Sequence, residues 1–75
     1  MRLDELTEEK NATIVEFKGG QKMQDRMTQH GIYPGDIVRI VRTAPLDGPY
    51  LVDVSGRELI IGRTLAKKIL VELEK

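Results

Sequence analysis

Short runs rich in β-branched and apolar residues, each cut off by glycine or proline, constrain this chain more than any other feature. NATIVEF spans residues 11–17 and stops at Gly19-Gly20, and IVRIVRT spans 37–43 and stops at Pro45. YLVDV covers 50–54 and RELII covers 57–61, with Ser55-Gly56 between them. Runs of this length bounded by turn formers predict strands. Ser-Gly as a two-residue link predicts a tight hairpin, although Asn-Gly would signal one more strongly. IVRIVRT does not alternate apolar and polar residues cleanly, which points to cover on both of its faces. A last strand is predicted near residues 70–73.

Helical spacing appears in two places. QKMQDRMTQH, residues 21–30, consists of good helix formers with Met23, Met27 and His30 spaced four and three apart. Gly31 follows where a glycine caps a helix, and Ile32 falls where an apolar residue packs back on the last turn. Tyr33-Pro34-Gly35-Asp36 then predicts a type II turn. RTLAKKI, after Gly62, predicts a second helix with Leu65, Ala66 and Ile69 facing inward. Near the start, Leu3 and Leu6 are spaced to pack on one side of a short turn. Five short strands, tight turns and two short helices predict a mostly β fold, a small and partly open SH3-like β-barrel, as one domain over residues 1–75. An OB-type barrel is the main competitor.

Size and composition narrow the functions. A chain of 75 residues buries only about 60% of the surface that its unfolded form exposes, so a large enclosed active site is not expected. Cysteine is absent, which removes disulfides, thiolate metal sites and cysteine nucleophiles. Twelve Lys and Arg balance twelve Asp and Glu, so the whole molecule has no general attraction for nucleic acid. No apolar run approaches 18 residues, and no direct membrane insertion is expected. Met1-Arg2-Leu3-Asp4-Glu5 carries no apolar export segment, so a cytoplasmic location is expected.

Several constellations invite chemistry and are read more simply. Met23, Met27 and His30 offer soft and borderline metal ligands on one helical face, but without a fourth ligand the stripe reads as core packing. Asp4, Glu5, Glu8 and Glu9 lack the glycine turn and oxygen spacing of a calcium loop and read as a solvated acidic segment. One histidine, one serine in a hairpin turn and no cysteine cannot assemble a nucleophile, base and orienter, so no enzyme is expected. Gly19-Gly20 precedes a helix without Walker or dinucleotide spacing. Arg39, Arg42, Arg57, Arg63, Lys67 and Lys68 make the second half locally basic, yet one Phe and two Tyr give little for bases to stack on, and no nucleic-acid partner is expected.

TAPLDGPY, residues 43–50, is different. Pro45 ends a strand, Asp47-Gly48 turns and Pro49 starts the next strand where no ladder donor is needed. Turn chemistry leaves Leu46 at the tip and Tyr50 close by unexplained, and apolar residues on a rigid loop are the usual anchors of a partner site. Leu46 and Tyr50 are the expected anchors, Pro45 and Pro49 stiffen the loop and lower the entropy lost on docking, and Arg42 and Arg63 are expected to pair with acidic groups.

Arg26-Met27 with Gly31-Ile32 and Pro34-Gly35, then VRIVRTAPLDGPYLVDV, then Ile61-Gly62-Arg63 with Ala66 and Ile69-Leu70-Val71-Glu72 resemble the FeoA family of ferrous-iron transport proteins over residues 11–73. The most specific parts are the Gly-Ile-x-Pro-Gly turn and the Arg-x-Ala-Pro-Leu-x-x-Pro loop at their correct separation. The resemblance implies an SH3-like barrel in the cytoplasm, a monomer or weak homo-oligomer. It implies no cofactor beyond weak transition-metal binding, and a role as accessory to the FeoB-type membrane permease with its cytoplasmic GTPase domain. The family is similar to the C-terminal domain of iron- and manganese-dependent repressors. The alternative is therefore a metal-sensing or peptide-binding regulatory domain, with His30 and nearby acids as ligands. His30 stands where the family commonly has leucine and implies a partly exposed helix end, and Glu9-Lys10 replaces the family's early Pro-Gly turn.

Overall fold

The computed structural model describes residues 1–74. A 3-10 turn over Leu3–Glu5 leads into β1 (Asn11–Phe17), α1 (Gly20–Gln29), β2 (Ile37–Thr43), β3 (Tyr50–Val54), β4 (Arg57–Ile61), α2 (Arg63–Ala66) and β5 (Ile69–Leu73). The strands form one antiparallel sheet in the order β4-β3-β2-β1-β5. This is the mostly β, SH3-like arrangement expected. The sheet is not hydrogen-bonded into a ring, because β4 and β5 stand at its ends without pairing. β1 to β4 begin and end as the breakers predict. RTLAKKI gives only one helical turn: Lys67 and Lys68 turn the chain, and Ile69 is buried from β5 rather than from a helix face.

Inward residues of every strand build a core that is apolar but for the Tyr50 hydroxyl. Ala12, Ile14 and Phe17 come from β1, Val38 and Ile40 from β2, Tyr50, Val52 and Val54 from β3, Ile61 from β4, and Ile69 and Val71 from β5. Leu3, Leu6, Met27, Ile32 and Ala66 cover them. Each fully buried Leu, Ile or Met contributes roughly 1.5–3 kcal/mol, and among the described residues no polar or charged side chain is buried to offset that gain.

Two bulges correct the alternation. In β1 the register shifts between Ile14 and Glu16, so Glu16 lies opposite Leu70 outside and Phe17 opposite Ile69 inside. In β2 it shifts between Ile40 and Arg42, so Arg42 lies opposite Leu51 outside. Strict period-two alternation from Ile14 or Ile40 would have turned a charged side chain inward. The uneven apolar pattern of IVRIVRT therefore comes from a bulge rather than from cover on both faces.

Helix α1 ends as its sequence predicts. Ile32 N–H donates to Met27 C=O at 3.0 Å and Gly31 N–H to Thr28 C=O at 2.9 Å, the paired bonds of a Schellman motif, with Ile32 and Met27 both buried. Arg57 Nη2 donates to Gly31 C=O at 2.6 Å, adding a cation at the negative end of the helix. The next turn closes through Asp36 N–H to Tyr33 C=O at 3.1 Å.

The two sheet edges are treated differently. The outer edge of β5 is covered by the N-terminal residues: Val71 N–H donates to Met1 C=O at 2.7 Å, and Arg2 bridges Leu70. The outer edge of β4 has no backbone partner among the described residues. At the covered edge, Arg2 N–H donates to Glu5 Oε1 at 2.7 Å, and this bond holds the Glu5 carboxyl below its ordinary 4.5.

Two outcomes are expected. Gly31 has φ +76°, and a Cβ there would lie 3.0 Å from the Arg57 guanidinium. Gly31→Ala should therefore lower the unfolding free energy in urea by about 1–2 kcal/mol. Because the Glu5 carboxyl is held low in the folded state, its contribution is complete above pH 4.5 and fades as pH falls through the folded value. Between about pH 6 and about pH 3, Tm should fall less for Glu5→Gln than for the natural chain.

Candidate partner-docking site

The hairpin joining β2 and β3 displays the predicted loop. Beyond the Thr43 and Tyr50 pair, Ala44 N–H donates to Pro49 C=O at 3.1 Å and Gly48 N–H to Pro45 C=O at 3.2 Å. The residues between, Leu46 and Asp47, have φ +58° and +57°. Two consecutive positive φ values inside an i to i+3 bond make a type I′ turn, the form that matches strand twist. The turn is thus centred one residue earlier than the Asp47-Gly48 expected from sequence. Gly48 serves another need, since a Cβ on it would lie 2.8 Å from the Ala44 Cβ.

Leu46 is the unusual residue of this turn. A leucine in the left-handed region costs about 1–2 kcal/mol, and asparagine or glycine would occupy it with less strain. Its side chain is 99% exposed, so no burial offsets that strain. Pro45 and Pro49 flank it, both exposed.

Behind the tip, Arg63 from α2 holds the hairpin. Its Nε donates to Gly48 C=O at 3.0 Å, its Nη1 donates to the Tyr50 hydroxyl at 2.7 Å, and its guanidinium lies 4.6 Å from the Tyr50 ring centroid. That distance is within reach of a cation–π attraction. Arg63 Nη2 lies 3.9 Å from Asp47 Oδ1, but this carboxylate is 94% exposed and the pair adds little. Tyr50 was expected as an exposed anchor. It is 4% exposed, because the alternation of β3 sets it inward with Val52 and Val54, so it supports the loop and shows only an edge at the surface. Arg63, expected to pair with acidic groups, lies near the Asp47 carboxylate and directs its hydrogen-bond donors into the hairpin. The spacing of Tyr50, Val52 and Val54 was the signal for the first correction.

Arg42 is exposed and makes no ion pair among the described residues. It stands in a row across the outer face, opposite Leu51, which is in turn opposite Ile60. These three, with Ala44, Pro49 and the edge of Tyr50, line a shallow apolar groove beside the tip. Sequence reading missed Leu51 and Ile60, the latter 75% exposed. Their signal was again alternation, since each follows or precedes a residue that had to face inward. The base of the hairpin is tied to the N-terminal segment, where Thr43 N–H donates to Glu8 Oε2 at 3.3 Å.

The other candidates fall elsewhere. Met27 is fully buried, Met23 packs against the core from its margin, and His30 is exposed at the helix end. Asp4 pairs with Arg2 at 2.9 Å. Among the described residues no three His, Asp or Glu side chains converge as a metal-binding group. Among the described residues no helix is long and apolar enough to cross a membrane.

If Arg63 fixes the hairpin from behind, Arg63→Ala should cost about 1–2 kcal/mol in denaturant unfolding, and Tyr50→Phe less, with the double variant less than additive. Leu46→Gly should leave stability unchanged or raise it by up to about 1 kcal/mol, since it relieves a left-handed leucine that packs on nothing.

The model of the FeoA domain matches residues 1–73. Comparison with curated proteins gives no match. Among solved structures, FeoA from Chlorobium tepidum superposes with a TM-score of 0.87 at 27% identity, covering 100% of this chain and 71% of that one. Iron(II) transport protein A from Clostridium thermocellum gives a TM-score of 0.88 at 26% identity, covering 97% of this chain and 45% of that one. The manganese regulator SloR shares the fold at a TM-score of 0.83 and 22% identity, with 99% of this chain covering 34% of that chain. With a family model spanning nearly the whole sequence, the chain belongs to the FeoA domain family, a family associated with ferrous-iron transport.

Proposed function

We propose that this domain is a cytoplasmic, non-enzymatic accessory of ferrous-iron uptake that docks on a FeoB-type permease through the tip of the β2–β3 hairpin. The observation that carries the reading is Leu46, fully exposed in a strained backbone conformation at the end of a loop braced by Arg63. Strain of this kind persists where the surroundings over-determine it, and it concentrates at recognition and catalytic positions. A braced tip loses little conformational freedom on docking, so more of the contact energy appears as affinity.

Each residue then has a part. Leu46 enters an apolar pocket of the partner, Pro45 and Pro49 form the shoulders of the contact, and Leu51 with Ile60 extends it across the outer face. Arg42, unpaired among the described side chains, meets a carboxylate at the rim. Tyr50 and Arg63 keep the tip in place without touching the partner.

The test is binding of the purified domain to the cytoplasmic portion of the permease, read by calorimetry. Leu46→Asp should weaken binding by tenfold or more, as loss of a central apolar anchor typically costs about 2 kcal/mol or above. Leu46→Gly should weaken it similarly while keeping the turn intact. Unchanged affinity in both variants would refute the anchor.

A further inference from the structure

The free edge of β4 carries an inference independent of the hairpin tip. We propose that this edge accepts an extended segment of another protein by antiparallel strand addition, and that the segment carries a cation opposite Glu58 and apolar residues opposite Leu59 and Ile60.

Backbone geometry supplies the first argument. The two-residue Ser55-Gly56 turn makes Val54 and Arg57 a hydrogen-bonded pair, so alternation along the ladder leaves the N–H and C=O of Glu58 and Ile60 directed away from β3. None of these groups has a backbone partner among the described residues, whereas the opposite edge of the same sheet is covered by Met1 and Arg2. Exposed edges template pairing with a further strand.

Side chains on both faces suit such an addition. Along the β4 edge, a small recess is lined by His30, Ile32, Leu59, Ile60, Ile61 and Leu65, and a residue opposite Leu59 would place its side chain against its inner wall. On the outer side, a residue opposite Ile60 would extend the apolar row from Leu51.

Charge fixes the occupant. Arg39, Asp53 and Glu58 lie in one outer row, Arg39 opposite Asp53 and Asp53 opposite Glu58. Like charges directly opposite are unfavourable, and the single cation stands on the far side of Asp53. A lysine or arginine opposite Glu58 completes the row. A second copy of this chain does not provide one. Two-fold pairing of β4 centred on Leu59 sets Glu58 against Ile60, pairing centred on Ile60 sets it against Gly62, and pairing centred on Glu58 brings two carboxylates together. The same carboxylate that asks for a basic partner strand thus deters self-pairing.

The test is an amide-resolved NMR titration of the intact domain with the capped pentapeptide Thr-Ile-Val-Lys-Thr, which aligns Ile with Ile60, Val with Leu59 and Lys with Glu58. Saturable shifts at the amides of Glu58 and Ile60 are expected, with binding weakened about fivefold when the peptide lysine becomes glutamate. In Glu58→Lys that preference should reverse. Absence of shifts at β4, equal affinity for both peptides, or undiminished binding of a peptide N-methylated at Ile and Lys would overturn the proposal. Shifts at these amides driven by protein concentration alone would overturn it in favour of a second copy. Leu46→Asp should bind the pentapeptide unchanged, which separates this site from the hairpin tip.

Discussion

Burial of one face of a five-stranded sheet, with no charged side chain inside among the described residues, is the interaction on which the rest of this molecule depends. A chain this short has no staple to fall back on, and among the described residues the Tyr50 hydroxyl, met by Arg63 at the core's margin, is the one side-chain hydrogen bond made by a core residue. Specificity therefore moves to the margins. Asp36 joins two turns, accepting from Tyr33 N–H at 2.9 Å and from the Ser55 hydroxyl at 2.9 Å. Arg57 reaches from β4 to the end of α1, and Arg63 from α2 to the β2–β3 hairpin. Each of these contacts ties a turn to an element distant in sequence, and together they orient a core that apolar packing alone would leave less defined.

Much of this was legible from residue types. Strand limits could be read because β-branched runs end at glycine and proline, residues that stop a ladder for backbone reasons independent of tertiary context. The end of α1 was legible for the same reason, with Gly31 and Ile32 each in the position that the cap requires. Features set by long-range pairing were not. The bulges at Ile14/Glu16 and Ile40/Arg42 arise from register with neighbouring strands, and α2 stops after one turn because Ile69 is claimed by the sheet.

The candidate site was legible in outline only. Its loop stood out because prolines and a leucine are unusual together in a turn. Which side chains face outward depended on the phase of β3, and on the guanidinium of Arg63, which arrives from thirteen positions after Tyr50 and fifteen after Gly48. Tyr50 and Arg63 looked like surface chemistry and turned out to be support. The division is physically sensible, since a displayed apolar tip needs polar contacts behind it to stay in one conformation.

The bulges have a consequence for chain length. Val15 and Val41 are the extra residues at these positions, each the first of two that share a single partner across the ladder. Loss of either would restore ordinary alternation and leave Glu16 or Arg42 in water, so a strand can shorten by one there without being turned over. A residue gained or lost elsewhere in β1 or β2 would invert everything beyond it. What a shortened strand would give up is its bend, and with it the curl that lets so small a sheet wrap its own interior.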